Sequence, residues 1–223
     1  MPRLTLEQEL QRLQDEVLVL GSMAGEALVE SVRLLKARDM EGSKRLIAAD
    51  QAINEKRFAI ENDVLTLIAT QQPMAGDLRV LAAILEIITE LERIGDYAKG
   101  IGRINIMMGE EPLLKPLIDI PYMADKVRDM LSRALDAFVR RDVEAARAIP
   151  KEDDEIDNLY NQVYRELLTF MLQDPHTIDR ASYLLWVAHN LERAADRVTN
   201  ICERVVFTVT GKMKEMDVER DWN

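Results

Sequence analysis

The amino-acid sequence predicts an all-α protein, a tandem repeat of two three-helix bundles with six long antiparallel helices. Glycine and proline are scarce, with 9 and 7 residues in a chain of 223, which leaves few turns and favours long elements. Only 5% of the residues are aromatic, and the helix-forming types Ala, Leu, Glu, Met and Arg are plentiful. Several motifs of the first half recur in the second half, which is typical of a duplicated unit.

Apolar residues in steps of three and four predict the first two helices. The first helix ends near Arg38-Asp39, and its inward stripe is predicted to contain Leu6, Leu10, Leu13, Val17, Leu20, Ala24, Ala27 and Leu34. The second helix starts around Glu41 and stops before Pro73, because the residue before a proline is disfavoured in helical geometry. Its inner face is predicted to carry Ile53, Ile60, Val64, Leu67 and Ile68.

A third helix is predicted from about Ala75 to Met108, and it completes a first bundle at residues 1–108. Its inward-facing residues are predicted to be Ile84, Ile88, Leu91, Ile94 and Ile101. Residues 109–117 contain two prolines and form the predicted linker, so the second bundle occupies residues 118–211. Sequential helices with short connections pack as antiparallel neighbours.

The second bundle repeats polar positions of the first. The offset is 103 residues from Arg38 to Arg141 and 102 residues from Pro73 to Pro175. The offset is 100 residues for the motif Leu-Glu-Arg-x-x-Asp. The distance between equivalent residues therefore shortens only at an inter-helix turn and just beyond it, and duplicated loops commonly differ in length. The recurring acidic and amide positions are Asp50 with Asp153, Asn54 with Asp157, Glu92 with Glu192, and Asp96 with Asp196.

The charge balance restricts the possible partners. The formal net charge is −11, from 40 acidic and 29 basic residues. A nucleic-acid-binding protein needs a basic surface, so this class is not expected, and the same charge argues against anionic membrane surfaces and unaided capture of free phosphate. A metal cation or a basic protein surface is the expected partner.

The chain also carries signals about its compartment. Acidic residues stand where the apolar run of a signal peptide would lie, and no apolar stretch approaches the roughly 20 residues that span a bilayer. The single cysteine, Cys202, cannot form an internal disulfide. A cytoplasmic protein without direct membrane insertion is therefore expected.

Two polar pairs in each bundle are candidate metal ligands. The motif Glu-x-x-x-Asp on the third helix of each bundle places both carboxylates on one helix face. A second pair flanks the apolar stripe of the middle helix, so it is expected where that helix meets the motif helix. Up to four oxygen ligands would converge in each bundle, which suits a divalent cation or a small metal cluster and not a thiolate zinc site. The candidate ligands are Glu92, Asp96, Asp50 and Asn54 in the first bundle and Glu192, Asp196, Asp153 and Asp157 in the second.

The alternative is that ion pairs neutralise these acids. Arg93 and Arg193 lie inside the two motifs, and Asp77 and Asp179 could join them from the helix starts. Spacing alone slightly favours this alternative, since charged residues beside an apolar stripe usually form a solvated edge. The duplication of all the acidic positions favours metal binding and so makes the two interpretations more nearly equal.

The residues expected of a catalytic centre are not grouped in the sequence. His189 precedes Glu192 by three residues, which reverses the Glu-x-x-His order of di-iron bundles. No Gly-rich phosphate loop and no Ser/His/Asp grouping is visible, so the chain is predicted not to be an enzyme. Trp186 and Cys202 are expected in or near the core.

With these motifs the sequence resembles the PhoU family, the accessory and regulatory proteins of the phosphate-specific transport system. The resemblance covers essentially the whole chain and rests on a combination of segments. The matching segments are Gln72-Pro73-Met74-Ala75-Gly76-Asp77-Leu78-Arg79, Glu90-Leu91-Glu92-Arg93-Ile94-Gly95-Asp96, Asn190-Leu191-Glu192-Arg193-Ala194-Ala195-Asp196 and Asn200-Ile201-Cys202-Glu203.

The resemblance implies a cytoplasmic, commonly homodimeric protein of two three-helix bundles. It implies negative regulation of the phosphate-starvation response when phosphate is plentiful. It also implies an adaptor role between the ATPase subunit of a phosphate ABC transporter and a sensor histidine kinase. Some members carry metal clusters on their Glu/Asp-x-x-x-Asp motifs, so divalent iron, zinc, manganese or magnesium is expected here.

Two positions depart from the family pattern. Ala194-Ala195 replaces the usual Ile-Gly of the second motif, and Asn54 stands where an acid would strengthen a metal site. The second bundle is therefore the stronger candidate for metal binding, and the first bundle is the weaker one. Two other classes stay open: a ferritin-like carboxylate metalloenzyme, which the missing Glu-x-x-His motifs disfavour, and a metal-free structural interaction module.

Overall fold

Helices make up nearly all of the chain that the structure describes. The structure, a computed structural model, describes the backbone of residues 2–213 and the side chains of residues 6–213, and this range contains no β-strand. The helices are α1 (Pro2–Ala37), α2 (Met40–Gln71), α3 (Ala75–Met107), α4 (Asp119–Arg140), α5 (Val143–Ala148), α6 (Asp153–Gln173) and α7 (Ile178–Thr210). The predicted all-α class is confirmed, with α1 to α3 and α4 to α7 as the two repeats.

The same turn ends the first helix of each repeat. Arg38 and Arg141 both have a φ of 56°, and a left-handed residue at this point is a common way to end a helix. The residues that follow, Asp39 and Asp142, each accept a hydrogen bond from the backbone N–H three residues further on, at 2.7 and 3.0 Å. Each aspartate therefore caps the next helix, and the two repeats share this local geometry as well as its sequence.

The middle helix of the second repeat is interrupted, which differs from the single long helix expected there. α5 ends at Ala148, a 3₁₀ segment covers Ile149–Glu152, and α6 begins at Asp153. Pro150 causes the interruption because it has no N–H to donate and its ring crowds the preceding helical turn.

One apolar core runs through both repeats. α3 packs against α1 and α2 within its own repeat, while α1 also contacts α4 and α3 also contacts α7. Gly21 permits the close approach of α1 to α4, since a Cβ at this position would overlap the side chain of Leu135. The predicted stripes are buried except for Ala27 and Ile68, which are partly buried and pack against the core. The fully enclosed members include Leu13, Val17, Leu20, Ile84, Ile88, Leu91, Ile94 and Ile101.

Cys202 and Trp186 are both expected in or near the core, and the structure confirms only the first of these predictions. Cys202 is buried, as predicted, and burial raises its pKa to about 12. The expectation for Trp186 is wrong, because its side chain is 52% exposed and meets Tyr183 edge-on at a ring distance of 5.7 Å. None of the described helices combines the length and the apolar content needed to cross a membrane.

Candidate functional site

Asp50 on α2 is the centre of the polar contacts in the first repeat. Its side chain is only 6% exposed. Lys99 Nζ on α3 donates to Asp50 Oδ2 at 2.5 Å, and Asn54 Nδ2 donates to the same oxygen at 3.1 Å. Lys99 Nζ also lies 3.6 Å from Asp96 Oδ1. These charged hydrogen bonds satisfy the buried carboxylate, and the bond to Asp50 raises the pKa of Lys99.

Gly95 brings α2 close enough to α3 for these contacts. A Cβ at Gly95 would lie 3.1 Å from Ile53 Cδ1 and 3.7 Å from Asp50 Oδ1. The absence of a side chain at Gly95 therefore lets the polar face of α2 meet the Glu-x-x-x-Asp motif of α3 directly.

Glu92 completes the acidic group on this side of α3. Burial, followed by the charge of Asp96, raises the pKa of Glu92, and the charge of Asp50 acts in the same direction. Arg57 and Arg93 act in the opposite direction. Asp96 and Asp50 thus act electrostatically on Glu92, and Asn54 is hydrogen-bonded to Asp50. We call these four residues, which are the ligands predicted for the first repeat, the first seam: Asp50, Asn54, Glu92 and Asp96.

The second seam comprises the equivalent residues of α6 and α7: Asp153, Asp157, Glu192 and Asp196. Arg193 Nη1 donates to Asp196 Oδ2 at 2.7 Å, as the ion-pair alternative predicted. Glu192 is largely buried, with Oε2 at 3.5 Å from His189 Nδ1. Burial, followed by the charge of Glu192, raises the pKa of Tyr160 on α6, so the Glu192 carboxylate acts on the neighbouring helix. Asp153 and Asp157 are both partly buried on α6.

The two seams differ at the position of Lys99. The residue 100 positions further on is Thr199, which is buried, and its Oγ1 makes no hydrogen bond to any residue in the described range. Lys99 is not among the residues predicted for this site. Its spacing of three residues from Asp96 on the same helix was the signal available, since residues at this spacing are neighbours on a helix surface.

Lys99 and Asp50 form part of the wall of a solvent-open groove of about 700 Å³. The groove lies mainly between α1 and α2, and Arg128 of α4 reaches its edge. Its apolar floor includes Ala27, Val29, Leu46, Ala49 and Ile53. Small ions from solvent can therefore reach the first seam.

The seams are networks of ion pairs and hydrogen bonds. Across the residues that the structure describes, no group of three or more His, Cys, Asp and Glu side chains is placed to hold a metal ion. The assignment of these residues as metal ligands stays a prediction.

The comparisons with known proteins give one consistent family. A sequence model of the PhoU domain matches residues 17–104 and 120–205. A protein of Clostridium acetobutylicum named phosphate-specific transport system accessory protein PhoU homolog is 35% identical over 97% of this chain and 100% of its own length. The phosphate-specific transport system accessory protein PhoU of Escherichia coli K12 is 33% identical over 92% of this chain and 85% of its own length.

Solved structures agree with the sequence comparisons. The crystal structure of PhoU from Pseudomonas aeruginosa matches with a TM-score of 0.86 and 30% identity, over 92% of this chain and 99% of that chain. The phosphate transport system regulatory protein PhoU from Streptococcus pneumoniae matches with a TM-score of 0.87 and 30% identity, over 96% of this chain and 100% of that chain.

Proposed function

This chain belongs to the PhoU family, and we propose that it regulates phosphate transport by association with other proteins and not by enzymatic turnover. It acts in the cytoplasm as a negative regulator of the phosphate-starvation response. Its partners are the ATPase subunit of the phosphate ABC transporter and a sensor histidine kinase. The observation that carries the proposal is the end-to-end similarity to the regulatory protein of Streptococcus pneumoniae.

The surface supports a role in association. A formal charge of −11 steers the protein towards basic patches on partners. The outer face of α6 also carries Tyr164, Leu168 and Leu172, exposed apolar side chains at a spacing of four residues. Leu65 on α2 is exposed at the position equivalent to Leu168. Such apolar stripes favour contact with other proteins, and we propose a homodimer as one of the resulting assemblies.

We propose that the second seam binds a divalent cation. Its four predicted ligands, Glu192, Asp196, Asp153 and Asp157, all offer carboxylate oxygens, and the buried hydroxyl of Thr199 has no competing hydrogen bond among the described residues. Oxygen donors of this kind suit magnesium and manganese, and also accept iron or zinc. A bound cation would neutralise the carboxylates and link α6 to α7. The first seam fits less well, because Lys99 already pairs with Asp50.

A genetic experiment tests the regulatory role. Deletion of the protein should leave a phosphate-starvation reporter switched on in phosphate-rich medium, and the wild-type chain supplied in trans should switch it off. A reporter that stays off after deletion would contradict the proposal.

A binding experiment tests the mechanism. The purified chain should bind the kinase or the transporter ATPase with an on-rate that falls as salt rises, since exposed charges are screened beyond about 8–10 Å at physiological ionic strength. Binding to neither partner at any salt concentration, or robust turnover such as oxygen consumption with ferrous iron, would overturn this mechanism.

A further inference from the structure

The first seam already contains a cation that belongs to the chain. Lys99 Nζ lies 2.5 Å from Asp50 Oδ2 and 3.6 Å from Asp96 Oδ1, so it bridges a carboxylate of α2 and a carboxylate of α3. Asn54 Nδ2 donates to the same Asp50 oxygen. Both groups present hydrogens to that oxygen, which leaves it poorly placed to coordinate a metal ion.

The second repeat replaces both of these donors. Thr199 stands at the position of Lys99, and Asp157 stands at the position of Asn54. The exchange removes an ammonium and an amide and supplies a hydroxyl and a carboxylate. At these two positions, hydrogen-bond donors of the first repeat are therefore replaced by oxygen ligands in the second. Asp196 of the second seam still accepts a hydrogen bond from Arg193 Nη1 at 2.7 Å, but the Arg193 side chain is 41% exposed, whereas the side chain of Lys99 is 23% exposed.

We propose that Lys99 is the resident cation of the first seam, which replaces a metal ion there, so that metal binds only at the second seam. This inference rests on the metal site proposed above. α2 and α3 are then joined by an internal ammonium at all metal concentrations, whereas α6 and α7 respond to the metal.

Charge, and not access, excludes the metal from the first seam. Lys99 and Asp50 lie in the wall of a solvent-open groove, so an ion can reach them. A divalent ion at this place would be repelled by the ammonium, and displacement of Lys99 would break a charged hydrogen bond to a carboxylate that is 6% exposed. Breaking a buried ion pair is costly because it leaves an uncompensated charge.

Manganese binding by the full-length chain tests the inference. Protein stripped with a chelator is dialysed against Mn²⁺, and bound metal is counted by elemental analysis. E192Q/D196N should lose the bound Mn²⁺, whereas E92Q/D96N should retain the wild-type amount. The exchange variant K99T/N54D, which carries the residue types of the second seam, should bind roughly twice the wild-type amount, because both seams would then offer oxygen ligands.

Thermal melts check that the exchange variant reports on the seam. K99T/N54D should melt at a lower temperature than wild type in chelator, and Mn²⁺ should restore its melting temperature. K44T, which removes an exposed lysine that pairs with Glu41, is the matched control and should bind the wild-type amount of Mn²⁺.

Several outcomes separate this inference from the proposed metal site. Loss of about half of the Mn²⁺ in E92Q/D96N would overturn the role of Lys99, and this variant decides the matter even if K99T/N54D does not fold. A folded K99T/N54D that binds no more Mn²⁺ than wild type would also overturn it. A wild-type chain that binds no Mn²⁺, together with a K99T/N54D variant that binds it, would support the role of Lys99 and overturn the metal site at the second seam.

Discussion

Glu90 on α3 accepts a hydrogen bond from Asn200 on α7 at 3.2 Å, and Arg197 Nη1 donates to the same Glu90 oxygen at 3.3 Å. The repeat offset of 100 residues makes Asn190 the equivalent of Glu90 and Gly100 the equivalent of Asn200. Asn190 Nδ2 indeed lies 3.2 Å from the place of a Cβ on Gly100. The helices α3 and α7 therefore cross so that each contact has an equivalent contact in the other repeat. This is the arrangement of a two-fold interface, here within one chain.

The ion pair between Glu90 and Arg197 should contribute strongly to stability. Both side chains are largely buried, so E90A would leave the guanidinium of Arg197 without its carboxylate. We expect a loss of about 3 kcal/mol in the free energy of unfolding, measured by urea denaturation. E30A removes the partner of Arg33 in an exposed pair and should cost less than about 1 kcal/mol. Equal losses in the two variants would show that the α3–α7 contact does not depend on this pair.

The contact of α1 with α4 should be sensitive to added volume at Gly21. G21A places a methyl group against Leu135, and overpacking of this kind costs about 1–3 kcal/mol. Combining G21A with L135A should cost less than the sum of the two single losses. G76A is the control, because no heavy atom of the described residues, apart from the adjoining backbone of its own helix, lies within 4 Å of a Cβ at Gly76. It should be neutral or slightly stabilising. Additive losses at Gly21 and Leu135 would contradict the predicted clash.

The acid stability of the protein should depend on Glu152. Hydrogen bonds from Arg133, and then from Lys126, lower the pKa of Glu152 from 4.5 to about 2. A depressed folded-state pKa adds stability that is complete above the unfolded pKa and is lost as the pH falls from about 4.5 to about 2. Its side chain is 29% exposed, so we expect a contribution on the order of 2 kcal/mol.

Denaturant unfolding of E152Q measures this contribution. E152Q should be less stable than wild type at pH 7, and the difference should shrink towards pH 2. E144Q, at an exposed residue that pairs with Arg147, should follow the wild-type pH profile. A stability gap for E152Q that is unchanged at pH 2 would contradict the ionic role of Glu152.

Glu92 should have the opposite effect on stability. Burial and the neighbouring Asp96 raise its pKa, so its ionised form is less favourable in the folded chain than in the unfolded chain. The cost is absent below the unfolded-state pKa and is complete above the raised folded-state pKa. E92Q should therefore raise the melting temperature at pH 7 in chelator, and the gain should disappear at acidic pH. A lower melting temperature for E92Q would indicate that the Glu92 carboxylate makes a net favourable contact.

Metal should stabilise the chain through the second seam. A divalent cation that binds the folded chain better than the unfolded chain raises the melting temperature. At a cation concentration of one hundred times the dissociation constant, the free energy of unfolding rises by about 2.7 kcal/mol. Mn²⁺, Zn²⁺, Mg²⁺ and Fe²⁺ should be compared in turn near neutral pH. E192Q/D196N should abolish most of the gain and remain folded in chelator, as judged by circular dichroism. A wild-type melting temperature that none of the four ions changes would favour ion pairs as the only role of these acids.

Local information was sufficient for most of the helix boundaries. The predicted third helix, Ala75 to Met108, differs from α3 by one residue at its end, because Pro73 and the apolar stripe act over a few residues of chain. Pro150 is the local signal for the interruption that shortens the expected middle helix of the second repeat.

The sequence by itself determined the all-α class, the duplication and the acidic positions of both seams, because each of these follows from spacing along one helix or between repeats. Only the tertiary structure decided which charges meet. Lys99 pairs with Asp50 and Glu90 pairs with Arg197 across helix boundaries, and such pairs depend on the rotation and crossing of whole helices. A helical period specifies the face on which a residue lies, but not the residue that the neighbouring helix places against it.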